Sequence, residues 1–287
     1  NGCIDTDVAT VSIPTQVVMT SSSTNALCFG VCNGTLTGDN ASGGAPGYTY
    51  SWDGGPSSGS QTQTNVCAGT YQVTITDVVG CVATADVIIS EPVKVTANLA
   101  TSASPICIGE SADLSTTIAG GTPPYAGFNW SAAPADISLI VTQQNPTVSP
   151  IITTDYTFIG TDNNGCDTDP AVVTVTVYDP LSLDVTRPLF SPDTSICPYD
   201  SATINLQGIG GDGNYSYFLQ PDLANPITLP MYVQPTATTG YAFMVTDGCT
   251  TPPAFATSNI TVHILPEVDF VADELTGCNP HTINITD

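Results

Sequence analysis

Tyr71–Cys81 reads YQVTITDVVGC, Tyr156–Cys166 reads YTFIGTDNNGC and Tyr241–Cys249 reads YAFMVTDGC. Each begins with an apolar alternation of period two, the pattern of a half-buried strand: Tyr71, Val73 and Ile75, then Tyr156, Phe158 and Gly160, then Tyr241, Phe243 and Val245. Each then meets an Asp and a Gly-Cys pair, a turn signal that ends the strand and opens a hairpin. A block that recurs in this way implies a tandem array of similar β units.

The cysteines measure the period of that array. Cys3, Cys81, Cys166 and Cys249, which follow the Gly of each turn, are separated by 78, 85 and 83 residues. A second series, Cys28, Cys107, Cys197 and Cys278, is spaced by 79, 90 and 81. Between the two series each copy carries a Gly-Gly turn followed by an aromatic run: GGAPGYTYSW (Gly43–Trp52), GGTPPYAGFNW (Gly120–Trp130) and GGDGNYSYFL (Gly210–Leu219). A Val/Ile/Thr strand closes each copy and runs into an acid and a proline, at Glu91-Pro92, Asp179-Pro180 and Pro266-Glu267, which read as linkers.

The expected domains are therefore 15–92, 93–180 and 181–266, with the last strand of a preceding unit at 1–14 and the start of a following one at 267–287. About seven short strands per unit, with frequent turn signals and an aromatic on the third strand, predict an all-β array of immunoglobulin-like sandwiches.

Composition narrows the function. The net charge is −24, from 2 basic and 26 acidic residues, so no basic surface can form against nucleic acid or an anionic membrane. No stretch approaches the roughly 20 consecutive apolar residues of a membrane span. Hydrophobic residues at 41% argue against disorder, and 10 cysteines without zinc-type or thioredoxin-type spacing point to an oxidising, extracellular setting. The first residues lack the features of a signal peptide, so a targeting segment is expected to be removed or to lie upstream.

Residues 28–92 resemble the SprB-type repeat of gliding-motility adhesins from the Bacteroidetes, with CFGVCNGTLTG, GGAPGYTYSW, NVCAGTYQVTITDVVGC and IISEP in the family's order. Residues 93–266 are similar, more loosely, to the Ig-like and PKD-like modules of the same giant surface proteins, through ICIGESADL and SICPYDSATINL. The third copy departs from the pattern at Pro198 and at Leu219, which stands in the tryptophan place. The resemblance implies type IX secretion and display at the cell surface as an adhesive or structural fibre, and it supplies no active site.

The cysteines pose the main structural question. In an Ig-like sandwich the early cysteine lies at one pole and the Gly-Cys turn at the other, roughly 25 Å away for seven-residue strands. A disulfide needs Cα atoms within about 7 Å. Pairing within a unit, as Cys28 with Cys81 or Cys107 with Cys166, competes with pairing across neighbouring units, as Cys28 with Cys166 and Cys107 with Cys249; Cys197 belongs to the same undecided set. Cys32 and Cys67 lie at one pole and are expected to bond. Cys3 and Cys278 are expected to have partners outside the sequence.

Other candidates are weaker. Tyr48, Tyr50, Trp52, Tyr125 and Trp130 offer a sugar-stacking platform or, more commonly, core packing. Asp77, Asp162 and Asp247 recur at one turn and, with Asp167 and Asp169, are candidate calcium ligands, although turn capping is the usual role of such aspartates and six to eight oxygens are needed. His263 and His281 have no recurring nucleophile or acid beside them, so no catalytic triad is expected. Ser201, in Asp200-Ser201-Ala202, is a candidate O-glycosylation site. The expected function is a non-catalytic stalk segment whose partners are other domains of its own chain and, in a fibre, like chains. The competing reading is the carbohydrate-binding accessory region of a secreted polysaccharide-degrading enzyme.

Overall fold

In the computed structural model, the described residues are 2, 4, 7, 9, 13–56, 59–184, 193–249, 252–267, 271–272, 276, 280, 282 and 285–286. All regular structure among them is β. Cys3, Cys278 and His281 lie outside the described residues.

The first repeat comprises β1 (Val18–Thr24), β2 (Gly34–Ser42), β3 (Thr49–Asp53), β4 (Thr62–Val66), β5 (Gly69–Thr76) and β6 (Val82–Ile89). They form two sheets, β1-β2-β4 and β3-β5-β6, with every pairing antiparallel. The second repeat has the same plan. Its strands are β7 (Thr96–Thr101), β8 (Ala112–Ala119), β9 (Gly127–Ala133), β10 (Thr147–Val148), β11 (Thr154–Thr161) and β12 (Ala171–Val175), in sheets β7-β8-β10 and β9-β11-β12. Strands one, two and four facing strands three, five and six is the order of an Ig-like sandwich.

The third repeat keeps this plan with breaks. Its strands are β13 (Ser182–Asp184), β14 (Asp193–Ile196), β15 (Ala202–Ile204), β16 (Gln207–Ile209), β17 (Ser216–Leu219), β18 (Asp222–Ile227), β19 (Met231–Val233), β20 (Thr239–Thr246) and β21 (Ala254–Val262). One face is the five-stranded sheet β14-β21-β20-β17-β18, in which β14 runs parallel to β21. The other strands form the pairs β13-β16 and β15-β19. Beyond them β22 (Val271–Ala272) and β23 (Ile285–Thr286) form an antiparallel pair.

Alternation fills the cores. Leu36, Trp52, Val66, Val73, Val87 and Ile89 are buried together in the first repeat. Leu114, Trp130, Tyr156, Phe158 and Val175 are buried in the second, where Trp130 and Phe158 rings pack 4.9 Å apart. Ile196, Ile204, Leu206, Phe243 and Ile260 are buried in the third. Trp52 and Trp130 donate their indole N–H to Ser60 O (2.9 Å) and Gln143 O (3.0 Å), so each ring is both packed and satisfied. They form core, not an exposed stacking platform.

The chain divides into two compact units. The first is Asn1–Ser102 with Ala112–Val148 and Asp155–Thr174, and the second is Ala103–Ser111 with Ser149–Thr154 and Val175–Asp287. The division does not follow the sequence period, because the segment that carries Cys107 belongs with the second unit.

Phe158→Ala is expected to destabilise its sandwich by about 3–5 kcal/mol. Guanidinium unfolding followed by Trp130 fluorescence, in a Trp52→Phe background, measures the shift.

Candidate functional site

The site that recurs in every repeat is built around the aspartate of the Gly-Cys turn. Asp77 Oδ1 accepts the backbone N–H groups of Val79 (3.0 Å) and Cys81 (2.8 Å), and its Oδ2 accepts Ala45 N–H (2.9 Å). Asp162 repeats this set with Asn164 (2.9 Å) and Cys166 (2.9 Å) on Oδ1 and Thr122 (2.8 Å) on Oδ2. One carboxylate thus ties the hairpin that presents the cysteine to the loop that carries the Gly-Gly pair.

That loop holds the linker. Gly44 donates its N–H to Thr15 O (2.7 Å), Gly121 to Val93 O (2.7 Å) and Gly211 to Asp179 O (2.8 Å). Both glycines of each pair have positive φ, and the geometry leaves no room for a side chain. A Cβ on Gly121 would stand 2.5 Å from Asp162 Oδ2, and one on Gly120 would stand 2.1 Å from Lys94 O. The tyrosine five residues after the first glycine completes the clamp. Tyr48, Tyr125 and Tyr215 donate their hydroxyls to Gly43, Gly120 and Gly210 O at 2.6, 2.6 and 2.7 Å.

The third copy reaches the same end by a different route. Its hairpin is two residues shorter, and a second acid compensates: Asp212 Oδ1 accepts Gly248 N–H (3.0 Å), while Asp247 accepts Cys249 N–H (3.1 Å) and Asp212 N–H (3.2 Å). Sequence reading did not assign Asp212, the Gly-Gly amides or the tyrosine hydroxyls to this site. The signal was present in the constant five-residue spacing from Gly43 to Tyr48, Gly120 to Tyr125 and Gly210 to Tyr215.

The presented cysteines are bonded across the period. Within the first unit Cys28, which follows β1, bonds Cys166 of the β11–β12 hairpin, with Cα atoms 5.6 Å apart. Asn164 Nδ2–H donates to Leu27 O (3.2 Å) beside the bond. Within the second unit Cys107 bonds Cys249, with Cα atoms 5.5 Å apart. Cys32 bonds Cys67. Among the described residues Cys81 and Cys197 carry free thiols, both exposed. The alternative pairings Cys28 with Cys81 and Cys107 with Cys166 do not occur. Closing loops of 138 and 142 residues removes about 5 kcal/mol of unfolded-state entropy per bond in the chain-entropy description.

The candidate calcium aspartates are engaged in separate contacts. Asp77 and Asp162 receive N–H donors on both oxygens, as does Asp247. Asp167 accepts the Thr161 hydroxyl (2.6 Å), and Asp169 pairs with Lys94 (2.6 Å). Among the described residues no three His, Cys, Asp or Glu side chains converge as metal ligands. Carboxylates that accept backbone donors within their own hairpin act as turn organisers. Ser201 is exposed, just before β15. His263 has its backbone N–H on Ile196 O (3.0 Å).

Residues 20–57 match the family model of the SprB repeat. The matched stretch contains the opening cysteines Cys28 and Cys32, the Gly-Gly pair and Trp52. Similar solved structures include the three N-terminal domains of the Highly Immunogenic Outer Capsid protein of bacteriophage RB49, at 14% identity over 88% of this chain and 100% of that one, TM-score 0.35. The eight N-terminal Ig domains of Down Syndrome Cell Adhesion Molecule align at 11% identity over 86% and 43%, TM-score 0.37. The S-layer protein rSbsC(31-844) aligns at 11% identity over 91% and 42%, TM-score 0.35. No curated protein matches the chain.

The clamp is expected to make the fold acid-sensitive. Asp77 titrates below the ordinary aspartate value chiefly through the Ala45 N–H, against a smaller opposing effect of burial. At Asp162 burial is the largest influence and pushes upward, but the N–H groups of Cys166, Thr122, Asn164 and Gly165 together outweigh it. A depressed folded value means that the stabilisation is full above the unfolded value of about 4 and is lost as pH falls through the folded value. Asp162→Asn is expected to lower stability at neutral pH and to flatten the decline between about pH 5 and pH 2, measured by denaturant titration at each pH. Gly121→Ala is expected to cost at least about 1–2 kcal/mol from its positive φ alone, in the same assay.

Proposed function

We propose that the chain is a non-catalytic stalk segment of a long extracellular surface fibre, with sandwiches at 15–92, 93–180 and 181–266 and disulfides that brace one repeat to the next. The observation that carries this reading is the covalent connectivity: an opening cysteine bonds the Gly-Cys turn one repeat further on, at Cys28–Cys166 and again at Cys107–Cys249. A bond within a repeat stabilises that repeat alone. A bond between successive repeats resists their separation under load, which is a mechanical property.

The SprB match at residues 20–57 and the oxidised cysteines support display outside the cell, and the resemblance to gliding-motility adhesins of the Bacteroidetes supports export by type IX secretion. A charge of −24 with few basic residues favours solubility and discourages random association with acidic surfaces. The partners on this reading are the neighbouring repeats of the same chain.

Single-molecule pulling tests it. The 138-residue loop closed by Cys28–Cys166 conceals about 450–500 Å of contour. The oxidised chain, held at its termini, is expected to extend far less than the reduced one, with the missing length released on adding a reductant under load. Equal extension before and after reduction would overturn the stalk reading.

A further inference from the structure

Cys81 and Cys197 are unbonded, yet each stands where its counterparts in other repeats are bonded. Cys197 shares the turn of Cys28 and Cys107. In all three the residue two positions on has a positive φ: Gly30 at 70°, Gly109 at 88° and Tyr199 at 74°. In all three the residue three positions on donates its N–H back to the cysteine carbonyl, from Val31 (3.3 Å), Glu110 (3.0 Å) and Asp200 (3.1 Å). Tyrosine at positive φ is strained, so the third copy keeps this turn even without glycine.

Each opening cysteine also follows a segment hydrogen-bonded to the end of its repeat's closing strand. The bonds are Ala26 N–H to Ser90 O, Ile106 N–H to Thr176 O and His263 N–H to Ile196 O, at 3.0, 2.9 and 3.0 Å. Cys81, for its part, is held by Asp77 as Cys166 is held by Asp162, through N–H bonds of 2.8 and 2.9 Å.

What differs is cover. The bonded turn cysteines, Cys166 and Cys249, are 7% and 9% exposed, and of the bonded opening cysteines Cys107 is buried and Cys28 half-buried, whereas Cys81 and Cys197 lie open. Their neighbours are apolar and open too: Val78, Val79 and Val82 beside Cys81, and Tyr199 beside Cys197, with Ile264 and Leu265 just past the His263–Ile196 bond. Exposed apolar residues grouped around an unpaired thiol mark a surface built to be covered.

We propose that Cys197 and Cys81 are the two open halves of the bond formed at Cys28–Cys166 and Cys107–Cys249. Cys197 bonds the Gly-Cys turn of a further repeat of this architecture, and Cys81 bonds the opening cysteine of another. The partner is a repeat of the same kind, and a second copy of this chain carries one at each position. Bond formation consumes a small-molecule disulfide such as oxidised glutathione. One cysteine thiolate displaces a glutathione thiolate to give a mixed disulfide, and the other cysteine, as thiolate, attacks that sulfur and releases the second glutathione. The proposal deepens the stalk reading and rests on it.

The chain serves as its own probe. In a C3S/C278S background, incubation in glutathione redox buffer is expected to give a ladder of disulfide-linked oligomers joined by Cys81–Cys197. C81S or C197S alone is expected to stay monomeric, and an equimolar mixture of the two is expected to give one dimer containing an 81/197 linked peptide. The unmodified chain is expected to yield the same linked peptide among its oligomers, which keeps the test independent of the serine background. Symmetric 81/81 or 197/197 dimers, or no 81/197 bond when both thiols react fully with a maleimide, would overturn the proposal. If that happens with 28/166 and 107/249 intact, the stalk reading stands; loss of those two bonds would sink the stalk reading itself.

Discussion

Everything distinctive in this chain depends on a carboxylate that collects backbone N–H groups from two loops at once. Asp77 and Asp162 each accept two donors from the Gly-Cys turn and one from the residue after the Gly-Gly pair. An ionised carboxylate accepting backbone N–H groups makes the stronger, charge-assisted kind of hydrogen bond, so the acid favours this form of both loops. The same glycine loop takes the carbonyl of the incoming linker, so one side chain sets the direction in which the chain enters the sandwich and the position at which the cysteine leaves it.

From that constraint the disulfide pattern follows. A sandwich separates its opening cysteine from its Gly-Cys turn by the length of its strands, so the two cannot meet within one repeat. The clamp holds the linker beside the turn that carries the cysteine. In the first unit this brings Cys166 to Cys28, with Asn164 reaching Leu27 O alongside. The second unit repeats the result with Cys249 and Cys107 although its hairpin is shorter, with Asp212 accepting the Gly248 N–H inside that turn.

The fold was largely legible in the sequence because period-two burial is a one-dimensional signal. Val73, Ile75, Phe158, Phe243 and Val245 are all buried where the alternation placed them, and the strand order is that of an Ig-like sandwich. The cysteine connectivity was legible only as a pair of alternatives, since spacing gives the period but not which poles meet. The aspartates were singled out by their recurrence, but calcium and turn capping differ in what faces the oxygens, and backbone amides leave no trace in a residue pattern. For the same reason Asp212 escaped notice: it replaces a contact made elsewhere in the other copies, and no repeat marks its position.

Direct mapping of the disulfides decides whether the bonds cross the period. Only Lys94 is a good trypsin site, since Arg187 precedes Pro188, so cleavage at the many aspartates suits this chain better. Mass-spectrometric mapping of the unreduced protein after such cleavage should recover peptides linking Cys28 to Cys166 and Cys107 to Cys249. Peptides linking Cys28 to Cys81 or Cys107 to Cys166 would show that the bonds stay within each repeat.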